Sequence, residues 1–213
     1  MLLEEERNLV VEYGKKMLDK GLTTGSGGNV SIYNRESGLV ALSPSSMDYY
    51  ETQPEDVVIM DCSGKIVDGK RRPSTEINMH LALYRARDDI SAVVHTHSLY
   101  ATAVACMRWD LPAVHYLAAF GGDIIKCSEY ATYGTEELAQ YALEAMGNRN
   151  ACLLGNHGLL AASSNIEKAF STAEHLEFVA KLYCVTKSLG EPNILSSEQM
   201  LEVMKKFGTC PYR

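Results

Sequence analysis

The sequence predicts a single α/β domain over residues 1–213, built on a largely antiparallel sheet covered by helices. Three observations predict it. Strand-like runs come in hairpin-like pairs and not in strict βαβ alternation. Helical stretches lie before, between and after those pairs. No linker, composition shift or internal repeat divides the chain.

Taken in order, residues 3–20 read as a helix with Val10, Tyr13 and Met17 on one stripe. Glu4 to Glu6 suit its positive N-terminal end, Lys15, Lys16 and Lys20 suit the other, and Gly21 stops it. TTGSGGNVSIY is a Gly-rich loop entering a strand, and a turn at Arg35–Gly38 followed by LVALS completes a hairpin. VVIMD, a Cys-Ser-Gly-Lys turn and KIV make a second one. Pro73-Ser74-Thr75 opens a helix through about Arg87, with Ser74 or Thr75 as N-cap. A strand over 92–97 and a helix over about 98–107 follow, then a strand over 123–127. Thr135 caps a helix ending at Gly147, and CLLGNHGLLAA reads as two strands around a tight break. Ser164 and Glu167 form a capping box for a long helix to Leu189, closed by Gly190 and Pro192.

Composition bounds the function. The chain is 46% hydrophobic and 22% charged, as ordinary soluble globular proteins are. Lys and Arg number 20 against 27 Asp and Glu, a net charge of -7, which argues against a nucleic-acid or anionic-membrane surface. It leaves room for a small phosphorylated ligand held by backbone N–H groups. The six cysteines are scattered without a C-x-x-C pair, which points to reduced thiols and a cytoplasmic location. The opening MLLEEERNLV is too acidic and too short in apolar length for a signal peptide. No run approaches the roughly 20 apolar residues of a membrane-spanning helix.

The chemistry centres on AVVHTHS, Ala92 to Ser98. Side chains alternate faces along a strand, so His95 and His97 share one face and Thr96 takes the other. Two imidazoles so placed can chelate one metal ion; a half-buried pair satisfied by hydrogen bonds is the alternative. His157, in the polar Asn-His-Gly break of LLGNHGLLAA, is a third candidate ligand, or else a surface turn histidine. Glu76, after the PST cap, is a fourth, and His80 one helical turn on is its rival. His115 and His175 also compete, the latter inside an amphipathic helix. There is no H-E-x-x-H, and G-S-G-G-N lies between helix and strand in the wrong order for a dinucleotide fingerprint. Its glycines and Asn29 can still turn backbone N–H groups toward an anion.

The pieces TTGSGGNVS, LSPSS, PSTE, VVHTHS, LPAVHY, YATYGT and LLGNHGLL, spread over nearly the whole chain, together resemble the class II aldolase/epimerase family. The resemblance implies a three-layer α/β/α fold and one Zn2+ ion per subunit, held by Glu76, His95, His97 and His157, with His80 outside the ligand set. It implies a substrate phosphate site made by Gly28, Asn29, Ser45, Ser46, Ser74 and Thr75, the last two at a helix N-terminus. Tyr133 and Phe207 match positions lining an aldehyde pocket. Cys210 stands where the family carries a tail tyrosine, and Tyr212 is the candidate to replace it. The implied reaction is reversible cleavage of L-fuculose 1-phosphate to dihydroxyacetone phosphate and L-lactaldehyde. Zinc stabilises the enediolate, Glu76 is the acid/base, and Tyr116 reaches in from a neighbouring subunit of a homotetramer as proton donor. The family also contains a retro-aldol epimerase of L-ribulose 5-phosphate, a dehydratase of methylthioribulose 1-phosphate and a non-catalytic scaffold, which are the alternatives.

Overall fold

A computed structural model describes residues 1–208. Its seven strands form one sheet in the order β4-β3-β2-β1-β5-β7-β6, and every neighbouring pair is antiparallel. The strands are β1 (Asn29–Asn34), β2 (Leu39–Leu42), β3 (Val58–Asp61), β4 (Ile66–Asp68), β5 (Ala92–Thr96), β6 (Ala151–Leu154) and β7 (Gly158–Ser163). The first four run as a meander of consecutive hairpins. The β6–β7 hairpin then attaches through β7 to β5, which has taken the free side of β1.

Both faces of the sheet are covered, and this is the reason its central strands read as unbroken apolar runs. Along β5, Ala92 and Val94 enter one core and Val93 the other; β7 divides Leu159 and Ala161 from Leu160 and Ala162 in the same way. The first core is closed by α1 (Glu4–Asp19), α3 (Leu99–Cys106), α5 (Ile166–Leu189) and α6 (Ser197–Phe207). The second is closed by α2 (Ile77–Ala86) and α4 (Glu136–Met146), through Met79, Leu83, Leu138 and Met146. The result is the three-layer α/β/α architecture.

Four local readings need correction. α2 starts at Ile77 with Glu76 in the N-cap position, so Ser74 and Thr75 precede the helix. They are held back because Pro73 bridges to Pro44 and the Ser74 N–H donates to the Ser43 carbonyl at 3.2 Å. α5 is capped by Asn165, whose side chain accepts the Lys168 N–H, and not by Ser164. Residues 123–127 form no strand: Ile125 makes one bridge to Leu111 and Cys127 one to Leu153 on the outer side of β6. α6 was not expected, although Ser196 and Gln199 make the reciprocal capping box that announces it.

Candidate functional site

β1 begins, β5 ends and β7 begins at the same end of the sheet, and that coincidence assembles the site. The register pairs Asn29 with His95 on one side of β5 and Leu160 with His95 on the other. His95 and His97 project toward the α2/α4 layer, and Glu76 comes from the start of α2. His157 comes from the turn before β7, where Asn156 takes a left-handed φ of 55°. Two glycines make the approach feasible. A Cβ on Gly28 (φ 68°) lies 2.5 Å from the His95 carbonyl oxygen, and one on Gly158 runs into the Thr96 carbonyl oxygen.

The four side chains Glu76, His95, His97 and His157 present ligand atoms that all lie within 4.8 Å of one another. Nε2 of His95 is 3.0 Å from Nε2 of His97 and 3.3 Å from Glu76 Oε2, and Nε2 of His157 is 3.1 Å from Glu76 Oε1. His95 Nδ1 lies 3.0 Å from the Leu159 carbonyl, which can only accept, so Nδ1 carries the proton and Nε2 presents its lone pair to the cluster. Glu76 Oε1 is buried and accepts no well-formed hydrogen bond, His157 Nε2 being near it without hydrogen-bonding geometry. Lone pairs with a shared focus and a buried, orphaned carboxylate oxygen are a costly arrangement unless a cation accepts them. The donor set of three imidazoles and one carboxylate therefore fits a divalent metal ion.

The electrostatics agree. Burial works against the Glu76 carboxylate, but the imidazoles of His95 and His157 overturn it and hold the group ionised well below the usual carboxylate range. Burial, reinforced by His95, lowers His97 to about 4 and His80 to about 3, so both stay neutral.

A cavity of about 370 Å³ opens beside the cluster. Of the residues expected to hold phosphate, Gly28, Asn29, Ser45, Ser46, Ser74 and Thr75 all line it. No Lys or Arg does among the described residues, so an anion there meets hydroxyls and backbone N–H groups. The Ser45 N–H donates to the Arg72 carbonyl at 2.9 Å, binding the two serine segments to each other. The Asn29 side chain is mostly committed elsewhere: Nδ2 donates to Glu76 Oε2 at 2.9 Å, and Oδ1 lies 2.5 Å from His80 Nε2. That leaves one amide hydrogen for an anion.

The expected aldehyde pocket is divided. Tyr133 lines the cavity and is 66% exposed, on a loop held to α2 by the Asn78 amide donating to the Gly134 carbonyl at 3.2 Å. Phe207 does not line it; it ends α6 beside Phe120, with ring centroids 5.1 Å apart. Tyr116 also lies outside this cavity, 47% exposed and in tilted ring contact with His115. Tyr212 and Cys210 lie outside the described residues. His115 and His175 are remote from the cluster, the latter stacked on Phe120.

Three contributors went unread in the sequence. Tyr49 is buried and its hydroxyl donates to the Gly28 carbonyl at 2.8 Å, bracing the glycine loop. Tyr130 and Asn156 line the cavity. Tyr130 shares its Y-x-x-Y segment with Tyr133, and Asn156 adjoins His157. Tyr49 carried no local signal, since its partner is 21 residues away.

A carboxylate and three histidines focused on one point, beside a polar cleft at the end of a two-sided antiparallel sheet, define a metal-dependent enzyme for small anionic substrates. The chain belongs to the family described as "Class II Aldolase and Adducin N-terminal domain", which matches residues 8–184. Within it the chain is a class II aldolase, a metal-dependent lyase of a family acting on small phosphorylated sugars. It is 55% identical over 207 residues to the 5-deoxy-D-ribulose 1-phosphate aldolase of Bacillus thuringiensis serovar kurstaki, covering 97% of each chain. It is 39% identical over 206 residues to the L-fuculose phosphate aldolase of Escherichia coli K12, covering 96% of this chain and 94% of that one. Among solved structures, an L-fuculose 1-phosphate aldolase superposes with a TM-score of 0.94 at 46% identity, covering 96% of each chain.

Proposed function

We propose that this chain cleaves a ketose 1-phosphate between C3 and C4, with 5-deoxy-D-ribulose 1-phosphate as the preferred substrate. The products are dihydroxyacetone phosphate and acetaldehyde. The observation that carries the aldolase site is the orphaned Glu76 Oε1 facing three imidazoles at the edge of the serine-lined cavity. The preference follows the 55% identity to a relative of that name. L-Fuculose 1-phosphate, whose aldehyde product L-lactaldehyde is one hydroxymethylene group larger, is the second reading. The structural match at a TM-score of 0.94 favours it.

Breaking C3–C4 leaves an electron pair on C3 beside the C2 carbonyl, which is prohibitive in water. A zinc ion held by Glu76, His95, His97 and His157 supplies Lewis-acid stabilisation of that charge when bound. The remaining work falls to the chain. Ser45, Ser46, Ser74, Thr75 and the backbone at Gly28 grip the phosphate and so hold C3 and C4 in place. Glu76 is the group that moves a proton at C3: it delivers one during cleavage and removes one during condensation. Tyr116 of a neighbouring subunit takes the proton from the C4 hydroxyl during cleavage and returns it during condensation. Its half-exposure away from its own cavity supports an active site shared between subunits, and a homotetramer is the assembly we assign. Tyr133 shapes the aldehyde end of the cavity, with Phe207 arriving from the neighbour. We also assign a cytoplasmic location, on the ground that five described cysteines are free thiols.

The test is to incubate the purified protein separately with 5-deoxy-D-ribulose 1-phosphate, L-fuculose 1-phosphate and L-ribulose 5-phosphate. Triose phosphate is followed by a coupled dehydrogenase. The first substrate should give the highest kcat/KM, and dipicolinate should abolish release until zinc is restored. Greater turnover of L-fuculose 1-phosphate decides for the second reading. Epimerised L-ribulose 5-phosphate with no triose phosphate from any substrate sinks both.

A further inference from the structure

A chain of buried polar side chains runs from the metal cluster into the α2 layer, and its donor directions can be read from one end. Glu76 Oε2 is a carboxylate oxygen and only accepts, so the Asn29 group 2.9 Å away is the Nδ2 amide. Asn29 therefore turns Oδ1 to His80, and Nε2 of His80, 2.5 Å away, must be the protonated nitrogen. A neutral imidazole then has an accepting Nδ1, and the Ser31 hydroxyl 2.7 Å away donates to it. The Tyr84 hydroxyl, 2.6 Å from Ser31 Oγ, donates in turn to Ser31. His80, Ser31 and Asn29 are 0%, 0% and 2% exposed, and Tyr84 is 2% exposed. Every link is satisfied in one polarity.

The inner end of the chain is a dead end. Burial pushes the Tyr84 phenol far above its ordinary range, so it does not serve as a proton outlet. The arrangement thus suits holding a group in place and not conducting a proton. The register adds the mechanical reason: Asn29 sits directly beside His95 across β1 and β5, so its amide is the neighbour on which the Glu76 carboxylate rests.

We propose that His80 is a positioning residue for Glu76: its Nε2–H fixes the Asn29 amide with Nδ2 toward the carboxylate, keeping Glu76 aimed at the metal focus. The inference rests on Glu76 being the acid/base of the proposed reaction. Loss of the Nε2–H frees Asn29 to rotate its amide and present Oδ1, a second acceptor, to the carboxylate. Glutamine at 80 can replace both ring nitrogens, with its amide donating to Asn29 and its carbonyl accepting from Ser31; leucine replaces neither.

The test compares His80→Leu and His80→Gln with the wild type for zinc affinity by chelator competition, melting temperature, and kcat and KM. His80→Leu should weaken zinc and lower kcat by about 10-fold or more, with KM changed little, and His80→Gln should restore most of both. In an Asn29→Ala background the His80→Leu change should cost nothing further, because the intermediary is gone. Long-range 1H–15N spectra of the wild type should show His80 protonated on Nε2. Wild-type zinc affinity and kcat in a folded His80→Leu, additive losses in the double variant, or an Nδ1–H tautomer would each overturn the inference. Should His80→Leu fail to fold, the glutamine variant and the tautomer decide it. If the wild type cleaves none of the ketose phosphates, the functional reading fails, whereas the tautomer and zinc affinities still judge His80.

Discussion

Two regions of the molecule bury charge, and they do so in opposite ways. At the outer half of the sheet, Arg7 of α1 is 1% exposed. Its Nε donates to the Leu2 carbonyl at 2.8 Å, one terminal nitrogen to the carbonyls of Pro54 (2.9 Å) and Val57 (2.6 Å), and the other to Asp68 at 2.7 Å. Four of its five donors are thereby used within the chain. At the metal cluster the carboxylate of Glu76 is nearly as buried, yet Oε1 accepts no well-formed hydrogen bond and three imidazoles converge on the same space. A closed set of partners ties α1 to the segments around β3 and β4. An open set, whose only missing member is a cation, marks a place for chemistry.

The sharpest way to break this contrast is Glu76→Gln. The three histidines should keep zinc measurable by elemental analysis, while kcat falls by about 10²–10⁴-fold, the range expected for losing a positioned acid/base. Turnover at the wild-type rate would remove Glu76 from the chemistry. Arg7→Met should do the reverse. It strands the buried Val57 carbonyl and unpairs Asp68, and should lower unfolding free energy by about 3 kcal/mol in urea titrations, with kcat unchanged below the transition. A loss of kcat without a loss of stability would erase the distinction between the regions.

The smallest effect is in pH. His80 and His97 are held neutral when folded, at about 3 and about 4 against 6.5 in the unfolded chain. The unfolded state therefore binds more protons, and the stability of metal-free protein is full above 6.5 and declines as pH falls toward 4. His80, fully buried, should alone account for about 2 kcal/mol between pH 7 and pH 5. The deficit of Arg7→Met should be the same at both pH values. A metal-free stability that does not change over this window would contradict the neutral-histidine description.

Much of this was legible in the chain itself. Period-two alternation placed His95 and His97 on one face, and hairpin signals at Arg35–Gly38 and around Gly64 marked the two hairpins that the β2–β3 pairing joins into the meander. Thr135 capped α4 as read. Two of the misreadings, at Ser74–Thr75 and at 123–127, share one cause, competition from distant backbone; the α5 cap and α6 were set by local caps that went unread. Ser74 and Thr75 are good caps locally, but the Pro44–Pro73 bridge holds them out of α2, and residues 123–127 make only two isolated bridges, to Leu111 and to the far edge of β6. The separation of Phe207 from Tyr133 could not be seen from spacing, since α6 packs beside Phe120 at another part of the surface.

The sequence by itself determined which residue types were available and which strand face carried two imidazoles, because alternation and capping are properties of a few consecutive residues. Spacing alone left His157 open against His80, His115 and His175, and the family resemblance named it. The tertiary structure is what brings it to the cluster, and only that structure shows that Asn29 serves the carboxylate as well as the cleft. Those choices depend on the register of β1 and β7 against β5. Register is set by which apolar faces both helix layers bury, a sum over the whole chain that no local pattern contains.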